Sequence, residues 1–177
     1  MTNFILNITS AEDDLMISSQ EIQCYTLNSD IDFNALKEIV SKLIKNEKIV
    51  LLHGNNALEL CNKLNVDGII TDLTSSKNIK KDIESIRQKI GRMTLGIICR
   101  NRRHEAMIVS ENEPDFIIFK VWHDGQDKTV ELTKWYNEFF LLQMAIMPQE
   151  DNVALDSYLA DIMILTPEAY KIFVAKK

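Results

Sequence analysis

With 177 residues, 46% of them hydrophobic and 26% charged, the chain has an ordinary globular balance and material for one core, taken as a single domain over 1–177. Its 20 Lys and Arg against 26 Asp and Glu leave a net charge of -6, which argues against binding the phosphate backbone of a nucleic acid. No apolar run approaches the ~20 residues that span a bilayer, and the opening MTNFILNITSAEDD lacks the basic start and apolar stretch of a cleaved signal, so no membrane partner is expected.

The first strand-like run is TNFILNI from Thr2, and SAEDDLMISSQ after it is weak as a helix and reads as a single turn or a loop. EIQCYTL from Glu21 is the second run. FNALKEIVSKLIK (33–45) then sets Leu36, Ile39, Val40, Leu43 and Ile44 on one face at helical spacing. KIVLLHG from Lys48 leads to a helical NALELCNKLN (56–65). VDGIIT from Val66 leads to NIKKDIESIRQKIG (78–91), where Ile79, Ile83, Ile86 and Ile90 share a face and Gly91 supplies a C-terminal stop. TLGIICR from Thr94 precedes RRHEAMIVSE (102–111), and PDFIIF from Pro114 precedes TVELTKWYNEFF (129–140). LQMAIMP from Leu142, DNVALDSYLA (151–160) and ADIMIL from Ala160 complete the series.

Two interleaved periods run through these segments. VDGIIT, PDFIIF and ADIMIL write one phrase three times, with Asp67, Asp115 and Asp161 separated by 48 and 46 residues, and a step of 46 back from Asp67 lands on Glu21. The runs from Lys48, Thr94 and Leu142 are separated by 46 and 48 residues in turn. Eight apolar runs, one about every 23 residues, alternate with helical patterns. Continuous apolar strands between helices mean a parallel sheet covered on both faces, and eight units suggest a closed (β/α)8 TIM barrel. Such barrels usually take about 250 residues, so this one is stripped, with short loops. An open α/β sheet short of one strand is the alternative, and the pattern leaves open whether the first strand closes the ring. In a barrel the repeated acids mark the end where the chain enters each even strand, the face of stability and not of chemistry.

The segments NVDGIITD, TLGIICRNRRHEAMIVSENEPDFIIFK and QMAIMPQEDNVALDSYLADIMIL resemble the thiamine phosphate synthase/TenI family of small barrels. Val66-Asp67-Gly68-Ile69 echoes its LGADGV-like turn, Gly96-Ile97-Ile98 with Glu105-Ala106 its GVS-x-H strand and following EA, and Pro114 to Phe119 its GADYIxFG-like strand. The resemblance spans roughly residues 21–166 and implies a (β/α)8 barrel acting in thiamine biosynthesis, as a synthase or a thiazole isomerase. The functional motifs depart from it. Cys24 to Asn28 stands in place of a QLREK-type run, and Leu52 to Asn56 in place of INDR, without the family's magnesium-binding Asp or its Arg. Ile70 to Leu73 replaces HLGQ, Ile98 replaces the Ser of GVS, and the long loop after the sixth strand shrinks to Val121 to Gly125. After the seventh strand, Met147-Pro148-Gln149-Glu150-Asp151 replaces a phosphate-gripping GGI. Proline has no N–H to offer an anion and two carboxylates repel one, so the usual phosphate cradle is expected to be gone. Asp151 reads more simply as the N-cap of the next helix. A non-catalytic or reassigned barrel follows from these departures, with a working thiamine enzyme or a partner-binding barrel as alternatives.

Barrel chemistry sits at the C-terminal strand ends. Those ends carry Asn7, Asn28, His53 with Asn55 and Asn56, Thr71 with Asp72, Arg100, Lys120 with Trp122, His123 and Asp124, Gln149 and Thr166. His53 is the candidate catalytic acid or base, because an imidazole can titrate near neutrality. Asp72 holds a cation, orients a base or caps the next helix. Lys120 points into the barrel as an activated amine or anion anchor, or out as a rim charge. Arg100, Arg102 and Arg103 place positive charge at a helix start, against its dipole, and call for compensation by a small phosphorylated or other anionic ligand, by Glu105 or Glu111, or by a partner chain. Asn28, Asn55, Asp72, Arg100, Lys120 and His123 are thus the candidate ligand-binding residues. His53, His104 and His123 form no metal-binding spacing, and no P-loop, GxGxxG or nucleophile motif implies a cofactor or a covalent step. Cys24, Cys61 and Cys99 lie far apart without a CxxC, which suits a reducing, cytoplasmic setting. Trp135, Tyr136, Phe139 and Phe140 on one helix suit either packing on the barrel or contact with a second copy.

Overall fold

A computed structural model describes residues 3–123, 126–150 and 154–176. Its strands are β1 (Asn3–Ile8), β2 (Cys24–Asn28), β3 (Ile49–His53), β4 (Gly68–Asp72), β5 (Thr94–Cys99), β6 (Phe116–Val121), β7 (Gln143–Pro148) and β8 (Ile162–Leu165). All eight are parallel and follow chain order around a closed barrel. The first strand does close the ring, pairing Asn3 with Ile162 through Leu6 with Leu165. The helices are α1 (Phe33–Lys45), α2 (Ala57–Leu64), α3 (Ile79–Ile90), α4 (Arg103–Glu111), α5 (Gln126–Phe139) and α6 (Pro167–Ala175).

Local chemistry explains most of these elements. Asp32 caps α1 by accepting from the Asn34 and Ala35 N–H groups, and Leu36, Ile39, Val40 and Leu43 form its buried stripe. Asn78 caps α3, the stripe of four isoleucines is buried, and Gly91 ends the helix at φ 60. The gap after β1 forms turns, as its sequence suggested. Two expectations fail. The helix expected over 151–160 is, among the described residues, only the 3-10 turn Leu155–Ser157; residues 151–153, with the proposed Asp151 cap, lie outside them. The chain also forms α6, which the apolar periodicity does not announce, although Thr166-Pro167-Glu168 carries a helix-start signature: Thr166 Oγ1 accepts from the Ala169 N–H.

Two apolar layers arise from the period-2 alternation of the strands. Residues such as Leu6, Leu27, Leu52, Ile69, Ile97, Ile117 and Ile146 pack outward under the helices. Ile5, Leu51, Ile70, Ile98, Phe116, Ile118, Ala145, Met147, Ile162 and Ile164 fill the barrel interior.

The threefold acid phrase has a structural cause. Asp67 Oδ2 accepts from the Val50 N–H at 2.8 Å while the Asp67 N–H donates to the Val50 carbonyl. Asp115 makes the same pair with Leu95, and Asp161 with Met144. Each acid thus staples the turn entering an even strand to the odd strand before it, satisfying two backbone groups at the sheet's end. Glu21, the fourth in the period, breaks the pattern: its carboxylate accepts from the Tyr170 hydroxyl instead.

Candidate functional site at the C-terminal mouth

Alternation along the strands decides which of the rim residues meet. Phe116 and Ile118 lie in the interior cluster, and Lys120 continues the same face of β6, so its side chain turns into the mouth. By the same parity Asn7, Asn28, His53 and Asp72 end the inward faces of their strands. Lys120 Nζ reaches across β5 to Asp72 Oδ2 at 2.6 Å. The Asp72 carboxyl is pushed up by partial burial, but hydrogen bonds from Lys120 and Thr74, with the Lys120 charge, outweigh that and hold it below its ordinary 3.8. Asp72 does not cap a helix, since α3 begins behind Asn78; its Oδ1 instead turns the chain by accepting from the Thr74 N–H and hydroxyl. With side chains 39% and 25% exposed, this ion pair contributes up to ~1 kcal/mol to stability. Its larger effect is to cancel charge at the mouth.

His53 is largely covered, and Thr26, fully buried on β2, shares a hydrogen bond with His53 Nδ1 at 3.1 Å. Burial pulls the imidazole from 6.5 to about 4, with the Lys120 charge adding to the fall and Asp30 and the Leu27 backbone opposing it. The expectation of a near-neutral titration is therefore not met: His53 is uncharged at pH 7. The loop that follows depends on Gly54 at φ +105, where an added Cβ would stand 2.6 Å from Ser29 Oγ. Opposite Thr26 on the neighbouring strand, Asn7 Oδ1 is buried with no hydrogen-bond partner among the described residues.

Two of the three clustered arginines find partners within the chain. Arg100 Nε donates to the Thr74 carbonyl at 2.6 Å, and its guanidinium pairs with Glu105 at 3.4 Å. Arg103 lies over the Trp135 ring, 5.1 Å from its centroid. Asn101 Nδ2 donates to the Lys120 carbonyl at 2.6 Å and fixes the end of β6. Together Thr74, Cys99, Arg100, Asn101, Lys120 and Trp122 enclose a pocket of ≈ 340 Å³.

Other candidates stand apart. Asn55 belongs with Thr71 and Lys89 to a separate hollow of ≈ 260 Å³ between α2 and α3. Asn28 Oδ1 accepts from the Asp30 N–H and shapes its own turn. His123 is exposed beyond β6, next to residues outside the described set. At the end of β7 the Gln149 N–H donates to the Val121 carbonyl, so the one backbone donor that Pro148-Gln149 could offer an anion is engaged. Among the described residues no three His, Cys, Asp or Glu side chains group as metal ligands, and no helix is long and apolar enough to cross a membrane. On α5, Tyr136 is buried and stacked on Phe140 at 4.7 Å while Phe139 stays 64% exposed, so helix packing accounts for most of that aromatic group. Thr26, Thr74 and Asn101 carry no signal in the sequence, because their roles lie in contacts between segments far apart along the chain.

No family model and no curated protein matches the chain. Solved structures do match, among them tryptophan synthase from M. tuberculosis in an open form with BRD0059 bound. That match has a TM-score of 0.67 at 10% identity and covers 99% of this chain and 86% of that one. The ligand-free form of the same enzyme with a TrpA-G66V mutation matches with a TM-score of 0.67 at 9% identity and the same coverage. Identity this low establishes the barrel fold and nothing of activity. The thiamine phosphate synthase/TenI likeness is carried by strand and turn segments, which any small parallel barrel must also write.

Proposed function

We propose that this chain is a reassigned, non-catalytic barrel of the thiamine phosphate synthase/TenI type that binds a small anion, such as a phosphate or carboxylate group, at its C-terminal mouth. The observation that carries the reading is the pocket between β5 and β6, which Arg100 and Lys120 both line beside Asn101 and the half-exposed Trp122. Two cations with a planar donor and an apolar wall suit an anion with a flat body. Asp72 and Glu105 hold these cations in place, and an incoming anion competes with them, so modest affinity is expected.

The non-catalytic part rests on His53. A base near pH 4 in a site whose neighbouring charges are already paired is poorly matched to proton transfer at neutral pH. The test is twofold. Titration calorimetry with inorganic phosphate should give saturable binding that weakens roughly tenfold in Lys120→Met and in Arg100→Met. Incubation with the pyrimidine pyrophosphate, the thiazole phosphate and magnesium should yield no thiamine phosphate. Turnover would end the non-catalytic reading, and phosphate affinity unchanged in both variants would end the anion site.

A further inference from the structure

At the opposite end of the barrel lies a cavity of ≈ 770 Å³, bounded by the N-terminal ends of the strands and the last turn of α6. Its inner wall is the lower interior layer, with Ile5, Leu51, Phe116 and Ile162. The layer above, with Ile70, Ile98, Ile118 and Ile164, contributes nothing to the lining and closes the cup from within. At the lip, Ile49 is 47% exposed and Val174 42% exposed, a placement of large apolar side chains that water disfavours. Barrel ends without active sites are ordinarily places of packing. This one is instead concave, mainly apolar and of the size that small-molecule sites occupy, roughly 300–1,000 Å³.

Neutral polar side chains such as Asn3, Gln23 and Gln143 also line the cup, and its charged groups have one sign. Glu21 and Asp115 line it, and no Lys or Arg does among the described residues. Asp115 is occupied, accepting from Leu95 and paired with Arg87 at 2.7 Å. Glu21 is different. It is the member of the acid period that left its strand-stapling role, its partner is the neutral Tyr170 hydroxyl, and it forms no ion pair among the described residues. An apolar cup whose edge carries one carboxylate without an ion-pair partner among the described residues complements a molecule with an apolar body and a positive head.

We propose that the N-terminal mouth of the barrel binds an amphipathic organic cation, its apolar body seated against Ile5, Leu51, Phe116 and Ile162 and its ammonium or amidinium head at Glu21. This site is separate from the anion pocket and does not depend on it. A peptide segment or a second copy is the poorer fit, because the cup is closed at its inner end and offers no run of backbone donors and acceptors: the staples with Asp67, Asp115 and Asp161 engage the strand starts.

The experiment compares decyltrimethylammonium with decanoate, the same chain under opposite heads, by calorimetry below their micelle thresholds on the full chain. Saturable one-to-one binding of the cation, at least tenfold tighter than the anion, is expected. Ile49→Lys and Val174→Lys change exposed lip residues and should each weaken the cation at least tenfold while leaving the thermal midpoint unchanged. Glu21→Gln should abolish the difference between the two heads. Absence of saturable cation binding, decanoate binding equally well or better, or affinity untouched by both lip variants would overturn the site. A head preference that survives Glu21→Gln would overturn the placement of the charge.

Discussion

The two mouths of the barrel use the same alternation of side chains to opposite ends. At the C-terminal mouth the inward positions are Asn7, His53, Asp72 and Lys120, and their charges are cancelled within the molecule. At the N-terminal mouth the inward positions are aliphatic and aromatic, the backbone is held by carboxylates at the strand entrances, and a cup remains open. Most polar groups at this narrow mouth satisfy one another, because leaving one buried and unpaired costs ~1–3 kcal/mol; Asn7 Oδ1 is an exception among the described residues. Apolar groups have no such pairwise partner to find and can leave a hollow. The polar end of this barrel is therefore the more closed one, and the apolar end the more receptive.

Substitutions at the two ends should separate these modes of construction. The largest effect is expected at Gly68, where an added Cβ would stand 2.1 Å from the Thr94 carbonyl oxygen on the neighbouring strand. Gly68→Ala should cost about 3 kcal/mol or more in chemical denaturation, at the top of the usual range for overpacking. A wild-type midpoint would mean that β4 and β5 are less tightly apposed than they are here.

Next comes His53 at the other end. Its folded pKa of about 4 lies below the unfolded 6.5, so the unfolded chain takes up the proton first as pH falls. The stability tied to the neutral imidazole is present above pH 6.5 and lost between there and pH 4. That loss should be on the order of 2–3 kcal/mol. In His53→Gln the thermal midpoint should fall less steeply across that window than in the wild type. Parallel pH profiles would mean that the ring is solvated.

The staples should matter more than the ion pair. Asp161→Ala removes a charge-assisted bond to the Met144 N–H and leaves a strand-end donor unpaired, an expected loss of about 2 kcal/mol by urea titration. Asp72→Asn weakens a partly exposed pair and should cost no more than ~1 kcal/mol, shrinking further in high salt. If the order of these two were reversed, the contrast between a structural and a charge-cancelling end would fail.

The barrel was legible because its cause is periodic. A parallel strand buried on both faces must be apolar throughout, and strand-plus-helix units of equal size recur at equal steps, so the eight runs could be counted directly. The stripes of α1 and α3 were legible for the same reason: Ile79, Ile83, Ile86 and Ile90 face the barrel as their spacing requires. The segment from Leu155 to Ala160 misled because its apolar residues could serve a short turn as well as a helix. The site was legible as a set of strand ends and no further. That Lys120 would cross to Asp72, that Arg100 would settle on Thr74 and Glu105, and that His53 would rest on Thr26 depends on which strands curl toward one another.

What the chain's residues determine alone is the number, order and kind of its layers, together with the acids that pin three of its strand entrances, because both follow from local pattern and repeat. Only closure of the ring decided the rest: which charges cancel, how far burial shifts an imidazole, and where a hollow survives. Those are mostly consequences of distances between residues far apart along the chain, such as Glu21 and Tyr170, and of the dielectric and volume that close packing leaves around them.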